Sequence, residues 1–332
     1  MSSNTNRNAS TNSGSPSKQP RKSPQKKTSW ATVIRIVMAA SVVVAITYTA
    51  FKLGGQLRER EFDFSQVNYF WWLASPFSYV ASMLLSCLFW HRVLYAMGQK
   101  PTLSQSLLAF FASQLGKYIP GKAMVVVIRT DLIRGDDVRT APAAASVFVE
   151  TLTWIFVGSA IASLLLVLQF RDQVGLQITA GVLTVAAGVL TWPSVFRRIA
   201  KKVGGARGRN AKKVFDGLGL STMSFGWAVM ALGWCLNGLS LWLVLKGLPG
   251  TDVQLSDFPL ALACVSLATV AGFVSLLPGG IGVREMVLIP LLSTRFDPIT
   301  AIVAAIVIRL VWLAVELATS GIIYFCLGKT GR

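Results

Sequence analysis

Charge is scarce in this chain, and negative charge scarcer still: of 332 residues 14% are charged, with 14 Asp and Glu against 32 Lys and Arg. Soluble domains carry roughly one-quarter charged residues, so an ordinary water-facing surface is excluded. Histidine occurs once, as His91, and the four cysteines, Cys87, Cys235, Cys264 and Cys326, stand singly in apolar segments. No second histidine is available to activate a serine or cysteine. No carboxylates cluster at metal-ligand spacing, and no Gly-rich lysine loop is present to cradle a nucleotide. No catalytic residues, no metal, no cofactor and no ATPase activity are therefore expected, and the cysteines are read as packing residues.

Hydrophobic residues make up 53% of the chain. Crossing about 30 Å of hydrocarbon takes roughly 20 apolar residues in a helix. Runs near that length occupy 30–53, 69–90, 143–170, 176–192, 223–245, 258–277 and 299–327. The expected fold class is an all-α polytopic membrane protein. The net charge of +18 is not evenly spread, because six Lys or Arg lie in the first 29 residues and eight more between Arg197 and Lys213. Both clusters flank apolar runs, which is the positive-inside pattern and places them on the cytoplasmic side against anionic headgroups. No folded basic domain exists to hold nucleic acid. Residues 1–29 contain no acidic and no aromatic residue, so they read as a disordered basic cytoplasmic tail. Residues 30–327 form the membrane domain, and 328–332 a short tail.

Two apolar stretches are broken alike. One is "SQLGKYIPGKAMVVVIRTDLIR", 113–134, and the other "GFVSLLPGGIGVREMVLIPLLS", 272–293, with Pro120 and Pro278 158 residues apart. At nearly that offset 69–90 overlays 223–245 and 143–170 overlays 299–327. The halves, about 69–170 and 223–327, each read helix, broken hairpin, helix. Charge counting makes them inverted repeats, with about six to eight membrane helices and two Pro-Gly-broken re-entrant hairpins. Proline removes a backbone donor and ends one helix where another begins. In lipid such a break is tolerable only inside protein or against a wet cavity. Both breaks are therefore expected to face inward.

Each break starts a helix with free N–H groups and a partial positive charge, a place for an anion such as phosphate. Gly121, Gly279, Gly280 and Gly282 let backbone donors approach closely. Lys122, Arg129 and Arg284 add fixed positive charge, and the guanidinium fork matches phosphate oxygens. These residues, with Glu285, are the expected ligand-binding set. The bland alternative is a pair of plain turns with snorkelling arginines. Glu285 points away from Arg284 and either caps its own helix or meets a cationic group or proton. Glu150, Arg309 and Glu316 form an expected intramembrane charge network. Charges at this depth need a partner or a cavity. Arg309 and Glu316 share a helix face with Trp312, and the near-equivalence of Glu150 and Arg309 in the two halves suggests that these two pair. His91 and Arg35 read as interfacial anchors, and Trp30, Trp71, Trp72, Trp90 and Trp192 as an aromatic belt.

The segments "HRVLYAMGQKPTLSQSLLAFFASQLGKYIPGK" and "PGGIGVRE" resemble the flippase-like transmembrane domain of the lysylphosphatidylglycerol synthase/flippase family, over about residues 30–327. The resemblance covers the membrane part alone, without the soluble aminoacyl-transferase domain, so lipid aminoacylation is not expected. It implies a protein that moves or binds anionic or glycosylated lipids between leaflets of a bacterial-type plasma membrane, with a cytoplasmic N-terminus. Its partners would be lipids with phosphate headgroups, and envelope-synthesis enzymes beside them. Two alternatives stand next to the transporter. One is a membrane enzyme or accessory subunit acting on polyprenyl-phosphate-linked sugars, with Glu285 or Glu150 as acid and base. The other is a non-catalytic scaffold for envelope assembly.

Overall fold

Short polar caps set the starts of long apolar helices throughout the computed structural model, which describes residues 64–119, 123–169, 174–192, 194–195, 217–275 and 277–327. Helix α1, Tyr69–Ala96, starts where the Asn68 side chain accepts from the Phe70 amide. The Thr102 hydroxyl and Gln105 side chain satisfy each other's backbone N–H at the start of α2, Leu103–Gln114, two of the orphan donors that every helix start leaves. After the first break come α3, Ala123–Ile133, and α4, Thr140–Gln169. Helices α5, Val174–Thr191, and α6, Leu220–Lys246, follow on either side of the basic loop. The second half closes with α7, Phe258–Val274, α8, Val283–Leu292, and α9, Pro298–Leu327, the last capped by Asp297. All nine helices, and no strand, lie among the described residues.

Five of the expected runs form helices long and apolar enough to cross a membrane: Tyr69–Ala96, Thr140–Gln169, Leu220–Lys246, Leu255–Val274 and Pro298–Cys326. The run at 176–192 is shorter as a helix, its apolar stretch spanning Gln177–Val189. The run at 30–53, Arg35, Trp30 and the basic tail lie outside the described residues. The chain is thus a multi-pass membrane protein. Helix α7, the first arm of the second broken segment, is itself long enough to cross, whereas α2, its counterpart in the first, has 12 residues.

Helices α1 and α6 pack along a seam of small residues. Ser75 Oγ donates to the Ser240 carbonyl at 2.9 Å and Ser78 Oγ to the Leu236 carbonyl at 2.7 Å. At Gly226 a Cβ would lie 2.2 Å from the Phe89 ring, so only glycine admits this approach. Where lipid removes the hydrophobic drive between helices, small residues and hydrogen bonds of this kind hold them. Around the seam the contacts are reciprocal. Helix α4 packs on α3, the second arm of its own broken segment, and on α7 of the other; α9 packs on α8 and on α2. The Ser320 hydroxyl fixes the α9 to α2 contact by donating to the Phe111 carbonyl at 2.7 Å.

The expected aromatic belt is corrected at Trp90, which is fully buried: its indole N–H donates to Ser146 Oγ at 2.9 Å and its ring covers a guanidinium. Trp192 is exposed as expected. His91 binds Ser106 at 2.7 Å and so ties α1 to α2. Cys87 and Cys264 are buried packing residues, whereas Cys326 is exposed.

A candidate lipid site where the two broken segments meet

The two breaks touch. The turn Pro278–Gly280 packs against residues 115–118, which precede the first break. Gly279 and Gly280 have φ of 58° and 68°, the left-handed region that side chains disfavour. A Cβ on Gly279 would stand 2.9 Å from the Tyr118 ring, so the ring lies directly on the glycine backbone. Gly282, also at positive φ, starts α8. Gly121 and Lys122, the corresponding residues of the first break, lie outside the described residues.

Each expected intramembrane charge finds a partner, but the pairing differs from the one expected from sequence. Glu150 does not pair with Arg309. The Arg129 guanidinium of α3 donates to Glu150 of α4 at 2.9 Å and to Ser113 at 2.9 Å, between the rings of Trp90 and Phe110 at 5.0 and 4.4 Å. Arg309 of α9 instead donates to Glu285 of α8. The physical reason is proximity: in each half the short helix after the break lies against the long helix that follows, so the charges are satisfied within the half. The sequence analysis expected Glu285 to act as a cap or as a partner for a cationic ligand; its carboxylate is instead committed to Arg309. The polarity is opposite in the two pairs, the arginine standing on the short helix in one and on the long helix in the other.

Glu316, with no solvent exposure, accepts from Lys117, from the Tyr79 hydroxyl and, at 2.9 Å, from the Tyr118 hydroxyl. Trp312, on the same face of α9 as expected, stacks on Tyr79 at 4.6 Å. This node joins α1, α9 and the approach to the first break. A buried carboxylate needs several donors to offset desolvation, and here it has them.

Arg284 has no such partner. It makes no ion pair, and its Nε is sealed from solvent without an acceptor. Its stem lies in a slot between two glycines: a Cβ would come within 2.7 Å of it at Gly272 and 3.1 Å at Gly280. A buried unpartnered donor on a charged group is costly. Two cavities meet at this side chain. One, about 150 Å³, is polar and is walled by Ser82, Gln114, Glu150, Asn237 and Thr269 with Trp154 and Trp312. The other, about 520 Å³, is mainly apolar and runs along Val125, Val126 and Val127 of α3 and Phe148, Leu152 and Ile155 of α4. Val127 and Phe148 are exposed at its open side. Lys117 borders both cavities with Arg284. The arrangement offers a cation at the boundary between a water-sized polar chamber and a hydrocarbon-compatible groove, which is the division of an amphiphile.

Sequence reasoning named Arg129, Gly279, Gly280, Arg284 and Glu285 and missed Lys117, Tyr118 and Asn237. The first two carried a signal, since a lysine and a tyrosine directly precede the Pro-Gly break. Asn237 is the lone amide in "WCLNGLSLWLVL". Among the described residues no group of His, Cys, Asp and Glu is placed to hold a metal.

Comparison with curated proteins finds no match. Comparison with protein families does: residues 30–319 match the lysylphosphatidylglycerol synthase TM region, and with most of its length covered this chain belongs to that family of membrane proteins related to lipid handling.

Proposed function

We propose that the protein binds a phosphate-bearing membrane lipid and passes it between leaflets, a flippase-like transporter of the plasma membrane. The headgroup enters the polar chamber, its phosphate meets Arg284 and Lys117, and its chains lie in the apolar groove along α3 and α4. The observation that carries this reading is the unpartnered Arg284 at the junction of the two cavities. A guanidinium offers phosphate a planar two-point fork, and the slot between Gly272 and Gly280 holds its stem in place. The two halves act as inverted repeats that rock about the α1 to α6 seam, with the basic N-terminal tail in the cytoplasm. Their reciprocal contacts, each long helix reaching across to the other broken segment, support a motion in which the halves exchange roles. The alternative, an enzyme on polyprenyl-phosphate sugars, needs Glu285 or Glu150 as acid and base, and both are committed to arginines. The test is translocation of a fluorescent phosphatidylglycerol in reconstituted vesicles. Arg284→Ala lowers the rate by about tenfold or more, the loss of one charge-assisted contact; a rate equal to the unaltered protein's refutes the site.

A further inference from the structure

Reading the chamber as a headgroup site leaves the headgroup itself open, and the inference drawn here rests on that reading. Two features of the walls narrow the choice.

The first is charge. Among the described residues around the chamber, Lys117, Arg129 and Arg309 are matched by Glu316, Glu150 and Glu285, each cation with its own carboxylate. Arg284 is left as a single uncompensated positive charge. In a low-dielectric chamber an unmatched charge of either sign is costly. A headgroup with one negative charge neutralises it. A dianionic phosphomonoester overshoots, and a zwitterionic headgroup brings its own cation with the phosphate.

The second is the sense of the hydrogen bonds offered. Asn237 is 3% exposed, borders the chamber, and its Oδ1 is sealed without a donor. Buried acceptors are almost always satisfied, so this one calls for an O–H or N–H from the ligand. Ser82, Gln114 and Thr269 surround the same space, and Trp154 and Trp312 present ring faces to it. Hydroxyl-matching groups beside flat aromatic faces suit a polyol, which has polar edges and an apolar C–H face. At roughly 10–15 Å³ per held water, the 150 Å³ chamber takes on the order of ten waters, a volume that glycerol or one sugar ring displaces.

We propose that the chamber selects a singly charged phosphodiester lipid whose headgroup carries hydroxyl donors, a glycerol or single-sugar phosphodiester, with phosphate on Arg284 and hydroxyls on Asn237. Asn237 is then a specificity-determining residue.

The experiment measures binding to the purified full chain in detergent by native mass spectrometry, using dioleoyl lipids that differ only in headgroup. Phosphatidylglycerol and phosphatidylinositol are hydroxylated and monoanionic; phosphatidylethanol has the same charge and no hydroxyl; phosphatidic acid and phosphatidylcholine vary the charge. One or both hydroxylated lipids bind about tenfold tighter than phosphatidylethanol, the worth of one or two hydrogen bonds, and the preferred one separates ring from glycerol. Asn237→Leu abolishes that gap without weakening phosphatidylethanol. The proposal is overturned if phosphatidylethanol equals both hydroxylated lipids, or if phosphatidic acid or phosphatidylcholine binds as tightly as they do. The comparison on the unaltered protein stands even where Asn237→Leu fails to fold. Arg284→Ala distinguishes the two levels. If it weakens every anionic lipid while no hydroxyl preference exists, this proposal alone falls; if it weakens none, the headgroup site falls with it.

Discussion

Removing either partner of the Arg129 and Glu150 pair leaves an unpaired ion in the protein interior. Their side chains are 2% and 9% exposed, so the remaining charge has no water to turn to. Breaking such a buried pair costs about 3–5 kcal/mol. Arg129→Ala also forfeits the contacts of the guanidinium with Trp90 and Phe110, each about 0.5–2 kcal/mol, so it is the more damaging single change. Replacing both by apolar residues of similar volume, Arg129→Met with Glu150→Leu, leaves nothing unpaired and is close to neutral. The expected signature in thermal unfolding of the detergent-solubilised protein is two damaging single variants and a double variant much less damaged than their sum. The coupling is about 2 kcal/mol or more, above the average for hydrogen bonds between membrane helices. A parallel cycle on Glu150 and Arg309, which have separate partners, is additive to within about 0.5 kcal/mol. Additivity at Arg129 and Glu150, or coupling at Glu150 and Arg309, refutes the assignment of partners.

Gly279→Ala sets a Cβ 2.9 Å from the Tyr118 ring at a φ of 58°. Gly98, at 72° with open space around it, gives the cost of the backbone alone, about 1–3 kcal/mol. Gly279→Ala lowers the unfolding temperature more than Gly98→Ala, and equal shifts argue against a contact between the breaks. Asp297 caps α9, and although burial raises its carboxyl, hydrogen bonds from Thr300 and Ile299 outweigh that and hold it below the ordinary value. A depressed folded value means stability present at neutral pH and lost as pH falls through it. Asp297→Ala therefore costs about 1 kcal/mol near neutrality, and the difference from the unaltered protein fades as pH drops below about 4; a gap independent of pH counts against the cap.

The helices were legible because each apolar run is long and bounded by caps or Gly-Pro signals, as at Thr102 and Pro278. The sites of the breaks were legible for the same reason, proline and glycine being incompatible with an uninterrupted helix. Partner choice was not. Glu150 and Arg309 hold matching places in the two halves, and matching places suggested contact between halves. Which neighbour a buried charge meets depends on how a short helix leans on the next long one, a tertiary fact that linear offset does not encode. The Lys117, Tyr79 and Tyr118 cluster on Glu316 was hidden because it draws residues from three separate elements. Trp90 reads as interfacial by its place near a run's end, yet the guanidinium it covers draws it inside.

The reversed polarity of the two ion pairs bears on how the chain sorts its own parts while folding. Oily helices in a bilayer gain little by choosing one oily neighbour over another. Were α8 docked against α4, Glu285 would confront Glu150; were α3 docked against α9, Arg129 would confront Arg309. Either swap sets like charges together in hydrocarbon, where repulsion is least screened. The sign of the charge thus labels each short helix for a single destination, so a chain built from two similar halves carries within it the instructions that keep those halves from trading places.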